Sequence, residues 1–352
     1  MMERTLRIID ANLNRMGEGL RVLEDAARFL LNDAALSEEL KALRHELTRV
    51  DESLQVQLLS ARRSEEDVAA FIDLPTEAER EDVLAIVKAN ARRVQESLRV
   101  LEEFSKIPAL AVTLDWAKFK RARFSLYELE RRLSSALLRR DKAEKIAGLY
   151  VIVDGETLRG RPDGIGEAEV ARQAIRGGAK VIQLRDKQKS MSELLPIARE
   201  LKRVCAEQGA LFIVNDYVDL ALAADADGVH VGQKDLPVVE VRSILPIDKI
   251  IGCSAATLDE AIAAEAAGAD YVAVGSIYPT SSKADTRPAG LETLRQVVEK
   301  VSVPVVAIGG INPDNVRDVI SAGAHAVAVI SAVAGAEDVE GAARQLVAAM
   351  EP

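Results

Sequence analysis

FIVNDYVDLALAADADGVHVGQKD, running from Phe212 to Asp235, sets the fold. FIV is a short apolar strand ended by Asn215-Asp216, YVDLALAAD spans one short helix, and GVHV is a second apolar strand followed by Gly232-Gln233-Lys234-Asp235. A strand–helix–strand unit crosses over right-handed and makes its two strands parallel neighbours. Their C-terminal ends then share one rim, with Asp216 just after the first strand and Asp235 in the loop after the second. Two carboxylates converging there suit a hard divalent cation such as Mg2+, which is ordinarily shared with substrate phosphates. The competing reading is that each aspartate caps the helix that follows it.

Outward from this unit the pattern repeats. Short apolar runs fall at 149–154 (LYVIVD), 180–184 (KVIQL), 211–215 (LFIVN), 228–231 (GVHV), 249–253 (KIIGC), 271–276 (YVAVGS), 303–309 (VPVVAIG) and 326–331 (AVAVIS). Amphipathic segments of helical length separate most of them, the shortest after Pro237. Continuous apolar strands imply a sheet buried on both faces, hence parallel strands wrapped by helices. Eight such units predict an α/β TIM (βα)8 barrel over residues 147–352. The corners RGGAKVIQL, AADADGVHV, AAGADYVAV and SAGAHAVAV belong to its bottom, where glycine suits the left-handed end of a helix.

The active face of such a barrel is read from the strand C-termini. They offer Gln183, Arg185, Asp186 and Lys187; Asn215 and Asp216; Gln233 and Asp235; and Ser254. Further on come the loop Pro279-Thr280-Ser281-Ser282-Lys283, then Gly309-Gly310-Ile311-Asn312-Pro313, and Ser331. Gly309 and Gly310 let backbone N–H groups approach an anion, Asn312 can cap the next helix, and Pro313 fits its first turn. With Ser331 they predict a phosphate cup. Arg185, Lys187 and Lys283, with the Ser254 hydroxyl and the Asp216/Asp235 pair, predict a diphosphate–metal site. Gln183 and Asn215 carry amides able both to donate and to accept, as reading a heterocycle requires.

Two anion sites, one with a metal, point to a bisubstrate transfer with diphosphate leaving. A lyase or isomerase would place a base at the centre. His230 instead sits between Val229 and Val231 and reads as packed and hydrogen-bonded, and His325 lies at the wrong end of strand eight.

Before Gly148 the pattern is helical, and residues 1–146 are predicted to form an all-α four-helix bundle. Leu6, Ile9, Leu13, Met16, Leu20, Leu23, Ala27 and Leu30 mark the first helix, and Leu36, Leu40, Leu43, Leu47, Val50 and Leu54 the second. A third runs from about Glu77 to Lys106 and a fourth from about Asp115 to Arg140. ANLNRMGEGLRVLE (11–24) repeats as ANARRVQESLRVLE (89–102), so Asn12, Arg15, Glu18, Arg21 and Glu24 answer to Asn90, Arg93, Glu96, Arg99 and Glu102. These are either solvated helix pairs or an arginine-lined anion site about a pseudo-two-fold axis. The Arg62-Arg63 loop offers a phosphate contact or a plain exposed basic turn.

DANLNRMGEGLRVLEDAARFL with Leu43-Arg44-His45 resembles the helical domain fused ahead of some thiamine-phosphate synthases. That domain family is associated with hydroxymethylpyrimidine-phosphate kinase activity, which implies ATP, although the sequence holds no Walker-type loop. QLRDK, VND, DGVHVGQKD, GCS, VGSIYPTSSK and AIGGIN with VIS, in that order, resemble thiamine-phosphate synthase across 148–350. The resemblance implies Mg2+-dependent coupling of hydroxymethylpyrimidine diphosphate to thiazole phosphate, yielding thiamine phosphate and diphosphate. It implies that Gln183, Arg185, Lys187, Asn215 and Lys283 hold the pyrimidine diphosphate and that Ser254 faces the diphosphate. Asp216 and Asp235 then bind Mg2+, while Thr280, Ser282, Gly310, Ile330 and Ser331 line the thiazole-phosphate side. Asp186 stands where Glu is as common.

Cations around a departing diphosphate favour a dissociative transfer, in which the aminopyrimidine carries a methylene cation that the thiazole nitrogen traps. Water would trap it too, so the loop from Ser276 to Gly290 is the expected lid. Two alternatives remain open: a thiazole tautomerase-like barrel, and a helical domain that only dimerises or channels. The net charge of −10 argues against nonspecific nucleic-acid binding, and 48% hydrophobic with 29% charged residues is an ordinary globular balance. No run is long enough to span a membrane, and MMERTLRIID lacks a signal-peptide core. Cys205 and Cys253 have no metal or redox spacing, which with the rest predicts a cytoplasmic protein acting on small molecules; whether it forms homo-oligomers is left open.

Overall fold

The computed structural model describes residues 1–63, 80–280 and 288–351. These fall into two compact units, Met1–Leu138 and Arg139–Pro352.

The first unit is all-helical: α1 (Met2–Asp25), α2 (Ala34–Thr48), α3 (Glu52–Ala61), α4 (Val83–Phe104) and the start of α5 (Trp116–Glu144). The α1 stripe from Leu6 to Leu23 is buried as expected, but Leu30 is exposed. The cause is a π-helical turn at Ala26–Leu30, which winds wider than 3.6 residues per turn and rotates Leu30 off the stripe. The helix expected over Leu36 to Leu54 is two. Arg49 turns extended after α2, and the Asp51 carboxylate accepts from Leu54 N at 2.8 Å to start α3. Asp33 and Asp82 cap α2 and α4 in the same way, at 2.9 and 2.7 Å. Gly19 lets α1 close on α4, since a Cβ there would lie 2.6 Å from Val94 Cγ2. Each fully buried leucine of this core contributes about 1.5–3 kcal/mol.

The second unit contains a closed barrel of eight parallel strands in sequence order. They are β1 (Gly148–Asp154), β2 (Ala179–Arg185), β3 (Leu211–Asn215), β4 (Gly228–Val231), β5 (Ile250–Ala255), β6 (Tyr271–Gly275), β7 (Val305–Ile308) and β8 (Ala326–Val329). All eight coincide with the apolar runs. Around them lie α6 (Gly155–Arg159), α7 (Glu167–Arg176), α8 (Met191–Gln208), α9 (Val218–Ala223), α10 (Val238–Ile244), α11 (Leu258–Ala266), α12 (Gly290–Lys300), α13 (Val316–Ser321) and α14 (Val339–Met350). Leu149, Val151 and Val153 face these helices, while Tyr150 and Ile152 face the barrel interior with Val181, Ile213, Tyr271 and Val306. This period-two alternation decides which strand residues reach the mouth.

The repeated bottom corners turn through left-handed residues at Gly178, Asp225, Gly268 and Gly323. Asp227 and Asp270 then tie neighbouring strands, accepting from Phe212 N at 3.0 Å and Ile251 N at 2.8 Å. The last turns of α5 belong to this unit, where Arg139 pairs with Asp270 at 2.7 Å and Lys142 with Asp248 at 3.0 Å.

Candidate active site

Strand alternation brings Gln183, Arg185, Asn215, Ser254 and Ile330 to one cavity of about 60 Å³ at the barrel mouth. Tyr150, His230 and Tyr271 line it as well, with an apolar wall that includes Ile152, Val306 and Ile308. Arg185 donates to Asp154 Oδ1 at 2.5 Å, and Asp154 Oδ2 in turn accepts from Thr157 N at 3.1 Å, so the guanidinium is held from below.

Asp216 follows β3 with a left-handed backbone (φ +61°), a conformation aspartate tolerates. It does not cap α9, whose N-cap is Tyr217 without a side-chain bond. Asp235 does not cap α10 either; its carboxylate accepts from Gly232 N at 2.7 Å and closes the β4 loop. Burial, together with the hydrogen bond and charge of Asp216, holds the Asp235 carboxyl above its usual value, against the Gly232 N–H and Lys187. Lys187 forms an ion pair with Asp216. Two crowded hard carboxylates at a rim are what a divalent cation relieves. Among the described residues no group of three or more His, Cys, Asp or Glu side chains is gathered for a metal. Two rim carboxylates are a donor set that fits Mg2+, which takes its remaining ligands from waters and substrate oxygens.

Asp186 organises the loop between these groups. It accepts from Gln188 N at 2.8 Å, Lys189 N at 3.1 Å and Arg159 at 3.1 Å. Burial works to raise its carboxyl, but these bonds outweigh it and hold it below the usual value. Gln233 spans from the β4 loop to Ser254 O at 2.7 Å.

The Gly-Gly turn has a packing cause. Gly309 (φ +103°) and Gly310 (φ +66°) are pressed against the segment after β6, where a Cβ on Gly310 would lie 2.6 Å from Pro279 O. Asn312 does not cap α13 with its side chain. It accepts from Asp314 N at 2.9 Å, so that Pro313 lies in the turn before the helix and not in its first turn. Gly310, Thr280 and Ser331 are not among the residues lining the cavity. Ser282 and Lys283, with the centre of the expected lid, lie outside the described residues.

Sequence reasoning missed the floor of the cavity. Tyr150, Tyr271 and His230 are buried; Tyr150 bonds Gln183, His230 bonds Ser254, and Tyr271 lies between Tyr150 and His230. His230 is packed, as expected, but it also faces the site. The signal was present in the alternation, because His230 is two residues after Gly228 and pairs in register with Asn215 and Gly252. Arg161 was missed too; it is buried and donates to Ala334 O and Ala336 O at 2.8 and 2.6 Å, fixing the turn that follows Ser331.

In the helical unit the repeated set divides. Glu24 and Glu102 are buried, each with an arginine from the next helix: Arg44 at 2.8 Å and Arg123 at 3.1 Å. Asn12 and Asn90 donate back to Ile8 O and Ile86 O, at 2.8 and 2.9 Å. Arg15, Glu18, Arg93 and Glu96 are exposed. Arg62 donates two hydrogen bonds to the Asp10 carboxylate, both at 2.8 Å. A larger open cavity of about 540 Å³ is lined by His45, Glu46, Thr48, Arg49 and Lys118.

Residues 149–333 match the family model described as thiamine monophosphate synthase, and residues 7–132 match the ThiD2 family. A thiamine-phosphate synthase of a Synechocystis strain is 41% identical over 331 residues, covering 93% of this chain and 91% of its own. The chain belongs to the thiamine-phosphate synthase family. A second synthase, from Shouchella clausii, is 52% identical over 204 residues that make up 96% of its length and 58% of this chain. The solved thiamine phosphate pyrophosphorylase of Pyrococcus furiosus is 45% identical, with a TM-score of 0.54, covering 97% of that chain and 59% of this one. The synthase module thus exists without a helical partner in relatives, whereas the Synechocystis synthase spans both units.

Proposed function

We propose that the barrel joins 4-amino-5-hydroxymethyl-2-methylpyrimidine diphosphate to hydroxyethylthiazole phosphate, giving thiamine phosphate and diphosphate. The chain is a transferase of thiamine biosynthesis, and its family membership supports this reaction. The observation that carries the reading is the crowded Asp216/Asp235 pair with Lys187 at the strand ends, together with the cavity lined by Gln183, Arg185, Asn215 and Ser254.

Gln183 and Asn215 read the pyrimidine, and Arg185, Lys187 and Lys283 hold its diphosphate. Asp216 and Asp235 hold Mg2+, which when bound supplies positive charge to the leaving diphosphate. The C–O bond to diphosphate breaks with its electron pair leaving on oxygen, and the thiazole nitrogen lone pair forms the new C–N bond. Ser254 donates a hydrogen bond to the leaving group. Thr280, Ser282, Gly310, Ile330 and Ser331 position the thiazole phosphate, and the loop around Lys283 excludes water. A tautomerase would not need the paired aspartates.

Functionally, residues 1–146 are assigned to a hydroxymethylpyrimidine-phosphate kinase, using ATP, and residues 147–352 to the synthase. We read the helical unit as two hairpins, α1–α2 and α4–α5, that together make a four-helix bundle to which α3 is added. Arg49, His45 and Lys118 around the open cavity favour an anionic ligand there. Among the described residues no helix is long and apolar enough to cross a membrane, and a cytoplasmic location is part of the proposal.

The full chain, given both barrel substrates and Mg2+, is expected to form thiamine phosphate and diphosphate in equal amounts; no thiamine phosphate sinks the assignment. An Asp216→Ala chain given ATP and hydroxymethylpyrimidine phosphate should accumulate the diphosphate. Its absence would leave the helical unit a non-catalytic dimerisation module.

A further inference from the structure

Five side chains from five strands are joined end to end across the barrel floor. Gln183 Nε2 donates to Tyr150 Oη at 2.7 Å, and Tyr150 Oη meets Tyr271 Oη at 3.0 Å. Tyr271 Oη meets His230 Nδ1 at 3.1 Å, and His230 Nε2 meets Ser254 Oγ at 2.9 Å. Gln183, Tyr150, Tyr271 and His230 are all buried, while Ser254 stands part-exposed at the rim.

An amide nitrogen only donates, so Tyr150 accepts from Gln183; of the two ways to share a proton between the phenols, donation from Tyr150 to Tyr271 is the one that leaves each buried hydroxyl proton with an acceptor in the chain. Tyr271, having accepted, gives its proton to His230 Nδ1. A neutral imidazole accepting at Nδ1 carries its proton on Nε2, which then donates to Ser254. The Ser254 proton is then left for a ligand, and the part-exposed hydroxyl lies on the cavity. We infer that this is a hydrogen-bond chain with one direction, which leaves the Gln183 carbonyl as an acceptor at one end and fixes Ser254 as a donor to an anionic oxygen at the other. Tyr150, Tyr271 and His230 are positioning residues in this arrangement, acting through Ser254.

Two further observations support it. Burial raises both phenols far above neutrality, so they stay protonated. β5 also gives up a side chain to admit the contact: a Cβ on Gly252 would lie 2.0 Å from Tyr271 Cζ and 2.5 Å from His230 Nδ1. The reverse direction would turn a serine lone pair toward the anion and the glutamine N–H toward the pocket. Only the naming of the two ends rests on the proposed function. There, the acceptor suits the pyrimidine amino group and the donor suits the diphosphate, so one chain carries matching polarity to both.

The test is nitrogen NMR of the full chain labelled with 15N-histidine, which has three histidines, His230 being assigned by its loss in His230→Gln. The expected spectrum has His230 protonated at Nε2 and bare at Nδ1. A proton on Nδ1 overturns the inference without variants or activity. Affinity for inorganic pyrophosphate with Mg2+ gives the second readout. Ser254→Ala should weaken it about tenfold or more, the scale of a hydrogen bond to a charged group. Tyr271→Phe should weaken it by a smaller factor and add nothing in the double variant. Independent, multiplying losses would mean that Tyr271 does not act through Ser254. Failure to form thiamine phosphate with the Nε2–H signal in place would sink the proposed function and leave the chain's direction standing.

Discussion

The helical unit buries its acid groups, whereas the paired aspartates of the barrel mouth are reached by solvent, and the two settings treat charge differently. In the helical unit, Glu24 and Glu102 each meet an arginine from a neighbouring helix, so their charges are cancelled locally. At the mouth, Asp235 is crowded against Asp216, and its carboxyl is raised. A cancelled charge holds helices in register, whereas at the mouth Asp235 is set beside a second carboxylate whose own partner is Lys187. The contrast separates two clusters that look equally suggestive in sequence.

Removing Asp216 should break the mouth alone. Asp216→Ala is expected to lower the coupling rate by at least about a hundredfold, the scale of losing one electrostatic stabiliser, with unchanged circular dichroism and intact kinase activity. Retained coupling would erase the contrast. Glu24→Ala or Glu102→Ala should do the opposite. Each strands a part-buried arginine and should cost the helical unit about 3 kcal/mol in urea unfolding, while coupling by the barrel persists. Asp186 sharpens the boundary between the two cases, because it sits at the mouth but is satisfied. Its folded-state value is lowered, so its contribution is complete above the ordinary carboxylate range and is lost as pH falls through the lowered value. Asp186→Asn should therefore flatten the acid limb of the stability curve and remove roughly 1–2 kcal/mol at neutral pH. The smallest effect concerns the cysteines. Burial pushes the Cys205 thiol up to about 12 and the Cys253 thiol up to about 11, so neither should react with iodoacetamide at pH 8 until the protein unfolds.

The barrel was legible because eight apolar runs and four like corners report one repeated physical unit. Its rim residues were legible for the same reason, since the C-terminal end of each run marks the mouth. The floor was not. His230 between two valines looks like core until the register shows that it shares the inward face with Gly252 and Tyr271. Helix ends were harder still. The π turn that exposes Leu30 and the break at Arg49 leave the leucine spacing almost undisturbed, so periodicity runs straight through both. The aspartates read equally as caps or ligands in sequence, and the structure shows that neither caps the helix after it.

The most direct test of the two-carboxylate site is calorimetric titration of the full chain with inorganic pyrophosphate, with Mg2+ and with EDTA. Wild type should bind tightly only with Mg2+, and Asp216→Ala and Asp235→Ala should each lose that metal dependence. Equal, Mg2+-dependent binding by both variants would contradict the assignment.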